Sequence, residues 1–332
     1  MFFFVIAPPG RFGMWCDAIV AGLSARTLGP TGIIHANSLE ELSSSALQLE
    51  ALRAVVAARH AGGRLRRALI DANRKFIVAF EDPRRACADL AHSSPSDLPH
   101  VVKQVASGAA AVMAYRAAPG ALVLTAETDW LDPVRAARAI AAHFELPVSE
   151  RDLTEAVGEV DAAGLAQGEG EAEAWWRALG EAERALTEGA LAPYLGEPEE
   201  GTPASIVWAG GLFFIGDRFD QGAARPIDIT GRARCLLHGP YVMLPPGTWA
   251  AVLSLQFSRE AAEHDFLVEV VTDRQLASTT IRPHHDGHLD AELTFVIDDS
   301  SDSPVSIRLS TQRAAFDGRV MLSGARLLQH PA

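Results

Sequence analysis

The sequence changes its period near residue 200, and that change constrains the fold more than any other feature. Up to about residue 195, short runs that are apolar at every position alternate with Ala/Arg-rich helical stretches. FFFVIA (2–7), GIIHA (32–36), KFIVAF (75–80) and ALVLTA (121–126) read as four strands, and a helix is expected around residues 14–26. Strands that are apolar on both faces and separated by helices predict a parallel sheet covered by helices. Ser38 with Glu41 reads as a capping box, and Asp82-Pro83 and Asp132-Pro133 each read as an N-cap followed by proline at the first helical position. Residues 150–195 read as helical and acidic and carry Trp175-Trp176.

GEPEEGTP (196–203) reads as a linker, and beyond it the period becomes two. TWAAVLSLQF (248–257), FLVEVVTD (266–273), LDAELTFVID (289–298), PVSIRLST (304–311) and RVMLSGARLL (319–328) alternate apolar and polar residues. This spacing predicts a jelly-roll-like antiparallel β-sandwich. The expected organisation is an α/β domain with a helical extension over 1–195, the linker, and the sandwich over 204–332.

The net charge is −13, from 29 basic and 42 acidic residues, which argues against duplex nucleic acid or an anionic membrane surface as partner. Hydrophobic residues make up 48% of the chain, enough for buried cores and against wholesale disorder. Cys16, Cys87 and Cys235 lie far apart and form no CxxC pair, a reducing-compartment pattern without disulfide or zinc framework. The opening apolar run stops at Pro8-Pro9-Gly10, too short for a signal peptide or membrane span, so a cytoplasmic location is expected.

The first strand runs into Ala7-Pro8-Pro9-Gly10-Arg11-Phe12-Gly13-Met14-Trp15 and then into a helix. Such a turn is a ready-made anion cradle, because orphan N–H groups and the helix dipole point to one spot. No GxxxxGK[ST] sequence is present, which argues against a nucleoside-triphosphate hydrolase.

Over residues 1–150 the chain resembles the sulfotransferase family in order and spacing. In that family the first strand leads into P-[KR]-S-G-T-T, which holds the phosphosulfate end of the PAPS donor, and a later strand ends in R-[DN]-P-x-[DE]. FIVAFEDPRRACADL (76–90) resembles the second element, with Asp82-Pro83-Arg84 in register. ALVLTAETDWLDPVRAARAIAAHFELP (121–147) resembles a further strand-and-helix segment through Glu127, Asp132-Pro133 and Phe144-Glu145-Leu146-Pro147. The resemblance implies PAPS or a related phosphonucleotide donor, held by Gly10, Arg11, Phe12, Gly13, Met14 and Trp15, with Arg84 assisting. It also marks departures. Met14 and Trp15 replace two hydroxyl residues of the phosphate loop, while Glu81 and Asp89 stand where the family keeps an Arg and a Ser on the donor's 3′-phosphate. A carboxylate there repels a phosphate that an Arg would pair with.

His35, at the end of the second strand and followed by Asn37 and Ser38, is a candidate general base for a sugar hydroxyl, with Glu127 as the other candidate. Arg64, Arg66 and Arg67 read as a solvated helix face. GPYVMLPPGTW (239–249) resembles the opening of β-sandwich modules appended to bacterial surface-polysaccharide enzymes. Tyr241, just after a turn, is the candidate carbohydrate contact, whereas Trp249, Phe257, Phe266 and Phe295 alternate inward as core. Asp286-Gly287 reads as a hairpin turn, so the neighbouring His284, His285 and His288 are not expected to converge on a metal. Asp298–Asp302 lacks EF-hand spacing and reads as an ordinary turn.

Two functions follow. One is sulfuryl transfer to a carbohydrate or glycolipid hydroxyl in bacterial surface-polysaccharide biosynthesis. The other is a non-catalytic, degenerate copy of that core with a carbohydrate-binding sandwich, associating with other polysaccharide-biosynthesis proteins. The sequence leaves the oligomeric state open.

Overall fold

In the computed structural model, which describes residues 1–47, 52–93, 96–162, 170–195, 205–216, 218–298 and 301–330, the earliest strand lies in the middle of its sheet. The expected linker, 196–203, lies outside the described residues. The chain divides into two compact units. The first comprises Met1–Ser96, Gln104–Ala178 and Asp299–Asp302, and the second Asp97–Lys103, Leu179–Asp298 and Ser303–Ala332.

The first half of the chain runs β1 (Phe2–Ile6), α1 (Arg11–Leu28), β2 (Gly32–His35), α2 (Leu39–Leu47), β3 (Ala54–Ala58), α3 (Gly63–Asp71), β4 (Phe76–Phe80), α4 (Pro83–Ser93), α5 (Leu98–Tyr115), β5 (Ala121–Thr125), α6 (Ala126–Asp129), α7 (Pro133–His143), α8 (Glu150–Ala162), α9 (Glu171–Ala178) and α10 (Glu181–Leu191). The five strands pair in parallel in the order β2-β3-β1-β4-β5. β3 was not among the expected strands, and α1 begins at Arg11, three residues before its expected start.

Alternation along the strands divides the core in two. Phe3, Val5, Val55, Ile77 and Leu124 face one way, onto α1, α7 and α8. α1 meets them with Phe12, Trp15, Cys16, Ile19, Val20 and Leu23, an i, i+3, i+4 stripe that makes one helical face. Phe4, Ile6, Val56, Phe76 and Val78 face the other way, onto Leu65 and Leu69 of α3 and Val112 and Tyr115 of α5. The caps follow the sequence reading closely. Asp132 Oδ1 accepts the Arg135 N–H at 3.1 Å, and Asp82 Oδ1 accepts the Arg84 N–H at 2.8 Å. At α2 the box is displaced by one residue: Ser38 Oγ accepts the Glu41 N–H at 3.1 Å, while Glu41 reaches back to the Asn37 N–H at 2.7 Å.

The second half contains β6 (Ser205–Ala209), β7 (Phe214–Ile215), β8 (Arg218–Gly222), β9 (Ile227–Asp228), β10 (Cys235–Val242), β11 (Gly247–Phe257), β12 (Phe266–Val271), β13 (Gln275–Ile281), β14 (Gly287–Ile297), β15 (Val305–Thr311) and β16 (Arg319–Gln329). Among the described residues they form two antiparallel sheets, β13-β12-β15-β10-β7-β8 and β14-β11-β16-β6, with β9 beside β16. Trp249, Phe257, Phe266 and Phe295 are buried between them, and the rings of Phe257 and Phe266 meet across the sandwich at 4.9 Å. Trp249 Nε1 donates to the Pro245 carbonyl at 3.0 Å.

Asp286-Gly287 is not a hairpin turn. β13 pairs with β12 and β14 pairs with β11, so residues 282–286 cross from one sheet to the other. A local turn signal does not reveal which sheet the next strand joins; here β14 has the full length of β11 as its partner. Cys16 and Cys87 are buried and Cys235 is half-buried, its thiol donating to the Leu237 carbonyl at 3.3 Å, and among the described residues no helix is long and apolar enough to cross a membrane.

Candidate functional site

The strand order makes the chain leave β1 towards β2 and leave β4 towards β5. In an open parallel sheet, that divergence opens a crevice at the carboxyl ends of the two strands. Pro8-Pro9-Gly10 leaves β1 there, and Glu81-Asp82 leaves β4.

α1 begins here without a side-chain cap of its own. Its first N–H, on Arg11, donates to Asp89 Oδ2 at 3.0 Å. The Arg11 guanidinium pairs with Asp89 at 3.3 Å and with Glu171 at 2.7 Å. Glu81 is 1% exposed, and its Oε1 occupies the place a Cβ on Gly10 would take. Neither Glu81 oxygen meets normal hydrogen-bond geometry, its contact with the Phe12 N–H included. Burial pushes its carboxyl well above the usual range, and neighbouring Asp89 pushes it further; Arg85, the Phe12 N–H and Arg59 oppose the shift. Asp89 is raised by burial as well, against the Arg11 N–H and the Arg11 and Arg85 guanidinium groups. The cradle at the start of α1 is therefore filled by two carboxylates of the same chain.

A buried ion pair between Arg59 and Asp17 lies beside it. Burial pushes Asp17 up to about 6 despite Arg59, and burial with Arg59 pushes His60 down to about 4. Asn37 Oδ1 holds this segment by accepting the N–H groups of Arg59 at 2.8 Å and His60 at 2.7 Å. Arg85 lies over the Trp130 ring at 5.6 Å. Trp15 Nε1, Trp130 Nε1, Asp17 Oδ1, Arg59 Nη1 and Arg85 Nη1 are buried without a hydrogen bond.

Sequence reasoning did not single out Asp17 or Arg59. Asp17 left a signal, being a lone acid within the apolar run of α1; Arg59 follows the strand that was missed.

The expected donor-binding residues are placed as follows. Phe12 and Trp15 are core residues, stacked at 5.8 Å with Trp130 edge-on to Phe12 at 5.2 Å, so they offer only main chain to the turn. Met14 is exposed. Gly13 is tight against β1, since a Cβ there would lie 2.7 Å from that of Ala7. Arg84 turns back onto Asp82 at 2.7 Å and covers the Trp176 ring at 5.9 Å.

The two candidate bases are not brought together. His35 is exposed on β2 and Glu127 is exposed just beyond β5, at opposite edges of the sheet. Four strand spacings of ~4.8 Å put about 19 Å between those edges. Glu127 Oε1 instead accepts the Asp82 N–H at 3.3 Å.

In the second unit, Tyr241 is half-buried against the rings of His238 and Phe214, and its hydroxyl shares a 2.9 Å hydrogen bond with His238 Nδ1. His284 is exposed and meets Glu263 at 3.2 Å. Among the described residues no group of three or more His, Cys, Asp or Glu is arranged to hold a metal ion. Asp299 and Ser300, in the Asp-rich turn, lie outside the described residues.

No protein-family model and no curated protein matches the chain. Solved structures are similar to it in fold. Mouse sulfotransferase SULT7A1, complexed with PAP, matches over 58% of this chain and 82% of its own, at 9% identity and a TM-score of 0.43. TmCBM61, in complex with β-1,4-galactotriose, matches over 38% of this chain and 83% of its own, at 11% identity and a TM-score of 0.26. The xylan-binding module CBM15 matches over 38% and 97%, at 11% identity and a TM-score of 0.28.

Proposed function

We propose that this protein is a non-catalytic relative of the sulfotransferases, with its donor cradle closed from within, and that it acts as a carbohydrate-binding accessory or assembly protein in bacterial polysaccharide or glycolipid biosynthesis. The observation that carries this reading is the pair of carboxylates, Asp89 on the Arg11 N–H and Glu81 against Gly10. A donor phosphate would have to displace both. If it entered beside them instead, Asp89 when ionised would oppose each unit of phosphate charge by about 4 kcal/mol at ~4 Å and an effective dielectric of ~20, while Glu81, whose burial favours the neutral acid, would act by occupying the space. The residues present do not fit PAPS. Cytoplasmic location is part of the same reading, in keeping with three cysteines set far apart in the sequence.

A second reading, sulfuryl transfer from PAPS with His35 or Glu127 as base, is favoured by one observation. Arg59 and Arg85 keep buried guanidinium nitrogens without hydrogen bonds near Glu81.

Calorimetric titration of the full chain with PAP and PAPS at neutral pH, together with a glycan microarray, separates the two. The accessory reading expects glycan binding and no heat from either nucleotide. Saturable nucleotide binding that is lost in Arg11→Ala would overturn it in favour of the transferase.

A further inference from the structure

Phe316 is 96% exposed, in a loop between β15 and β16 that is otherwise firmly seated. On one side, Ala315 exchanges two backbone hydrogen bonds with Gly231, at 2.8 and 2.9 Å, and is itself buried. On the other side, the Gly318 carbonyl accepts the Ile229 N–H at 3.0 Å, and Asp317 Oδ1 accepts the Gly318 N–H at 2.7 Å. Gly318 has φ 125°, and a Cβ there would press to 3.0 Å on the Ala261 nitrogen. Two residues thus stand out between two fixed points, and one of them is an aromatic ring in water.

An exposed phenyl ring gains nothing for the fold, and its surroundings limit what it can bind. Arg313, Asp317 and Arg319 flank it in sequence, and Thr230 lies across the Gly231–Ala315 bridge. Arg313 reaches Asp265 at 3.8 Å, so the nearby charge is of both signs. The other exposed large apolar side chains described in this unit, Val207 and Val296, lie on β6 and β14. A lipid surface needs several apolar side chains backed by net positive charge, and a protein interface needs a contiguous apolar centre. One rigid ring with a mixed-charge, hydrogen-bonding rim suits a ligand with an apolar face and a polar edge.

We infer that Phe316 is the stacking platform for a pyranose ring of a neutral glycan, at the loop end of the sandwich, with the polar groups of Arg313, Asp317 and Arg319 available to its hydroxyls. This rests on the carbohydrate-binding reading above and moves the contact from Tyr241, whose hydroxyl is already engaged, to Phe316.

The test is affinity electrophoresis of the full chain through gels containing soluble xylan, β-1,4-galactan or laminarin, comparing wild type, Phe316→Ala and Phe316→Trp. Circular dichroism and Tm should be the same for all three, because the ring packs on nothing. Retardation of wild type by one glycan, weakened at least tenfold in Phe316→Ala and kept in Phe316→Trp, is the expected result. Equal retardation of wild type and Phe316→Ala would overturn the platform and leave carbohydrate binding standing. No retardation by any of the three would overturn both. Phe316-dependent sedimentation with phosphatidylcholine–phosphatidylglycerol vesicles would replace the glycan with a membrane.

Discussion

The N–H of Arg11 donates to Asp89, which lies 78 positions further along the chain, at 3.0 Å. α1 therefore takes its cap from α4, and Asp89 also engages the Arg11 side chain. N-cap acceptors contribute about 1 kcal/mol, and an anion at this helix end adds to that. Asp89→Ala is expected to lower unfolding free energy by about 1–2 kcal/mol in urea titrations. A double-mutant cycle with Arg11→Ala should show coupling; additive effects would count against the cap.

Gly10 and Glu81 share one space. Gly10→Ala should cost about 1–3 kcal/mol, the usual range for overpacking. Glu81→Ala removes the colliding carboxylate, so the Gly10→Ala penalty should nearly vanish in that background. An unchanged penalty would mean that the backbone, and not Glu81, sets the limit.

The pH profile follows from buried titratable groups. Glu81 is raised above 4.5 when folded, so the native state binds more protons and stability falls as pH rises from about 4.5. Asp17, raised from 3.8 to about 6, acts in the same direction between those values. His60, lowered from 6.5 to about 4, acts oppositely: its contribution is present above 6.5 and is lost as pH falls towards 4. Asp17 and His60 largely offset each other, which leaves Glu81, with Asp89 acting in the same direction, to set the slope. Glu81→Gln should flatten Tm against pH above about 6 and exceed wild type in Tm at pH 8. A parallel, undisplaced profile would contradict the buried-acid assignment.

Trp15 is fully buried in the core and stacked on Phe12. Trp15→Ala should destabilise by about 3–5 kcal/mol, as large buried aromatics do. Glycan retardation of the surviving folded fraction should be unaltered; a binding defect in that fraction would give Trp15 the ligand role that its burial argues against.

The sandwich was legible because alternation over ten residues leaves few other folds, and the inward positions of Trp249, Phe257, Phe266 and Phe295 followed directly. In the first half, β3 escaped notice because AVVAA lies in an Ala/Arg-rich stretch whose short apolar run fits a buried helix equally well. That omission mattered. Without β3 the sheet order cannot be written, and His35 and Glu127 look closer than opposite edges allow. Glu81 and Asp89 were legible as misplaced carboxylates, but their reach to Gly10 and Arg11 is tertiary and carries no local signal. Tyr241 lies within β10 rather than after a turn, and its tie to His238, three residues back in the same strand, goes with the break in register between Pro240 and Val242.

The central position of β1 also has a consequence in time. Its neighbours are β3 and β4, so Phe2–Ile6 cannot be flanked on both sides until Phe80 has been synthesised. At ~5–20 residues per second, that leaves the strand incompletely paired for about 4–15 s on a translating ribosome. During that interval, three consecutive phenylalanines are a natural target for a nascent-chain chaperone.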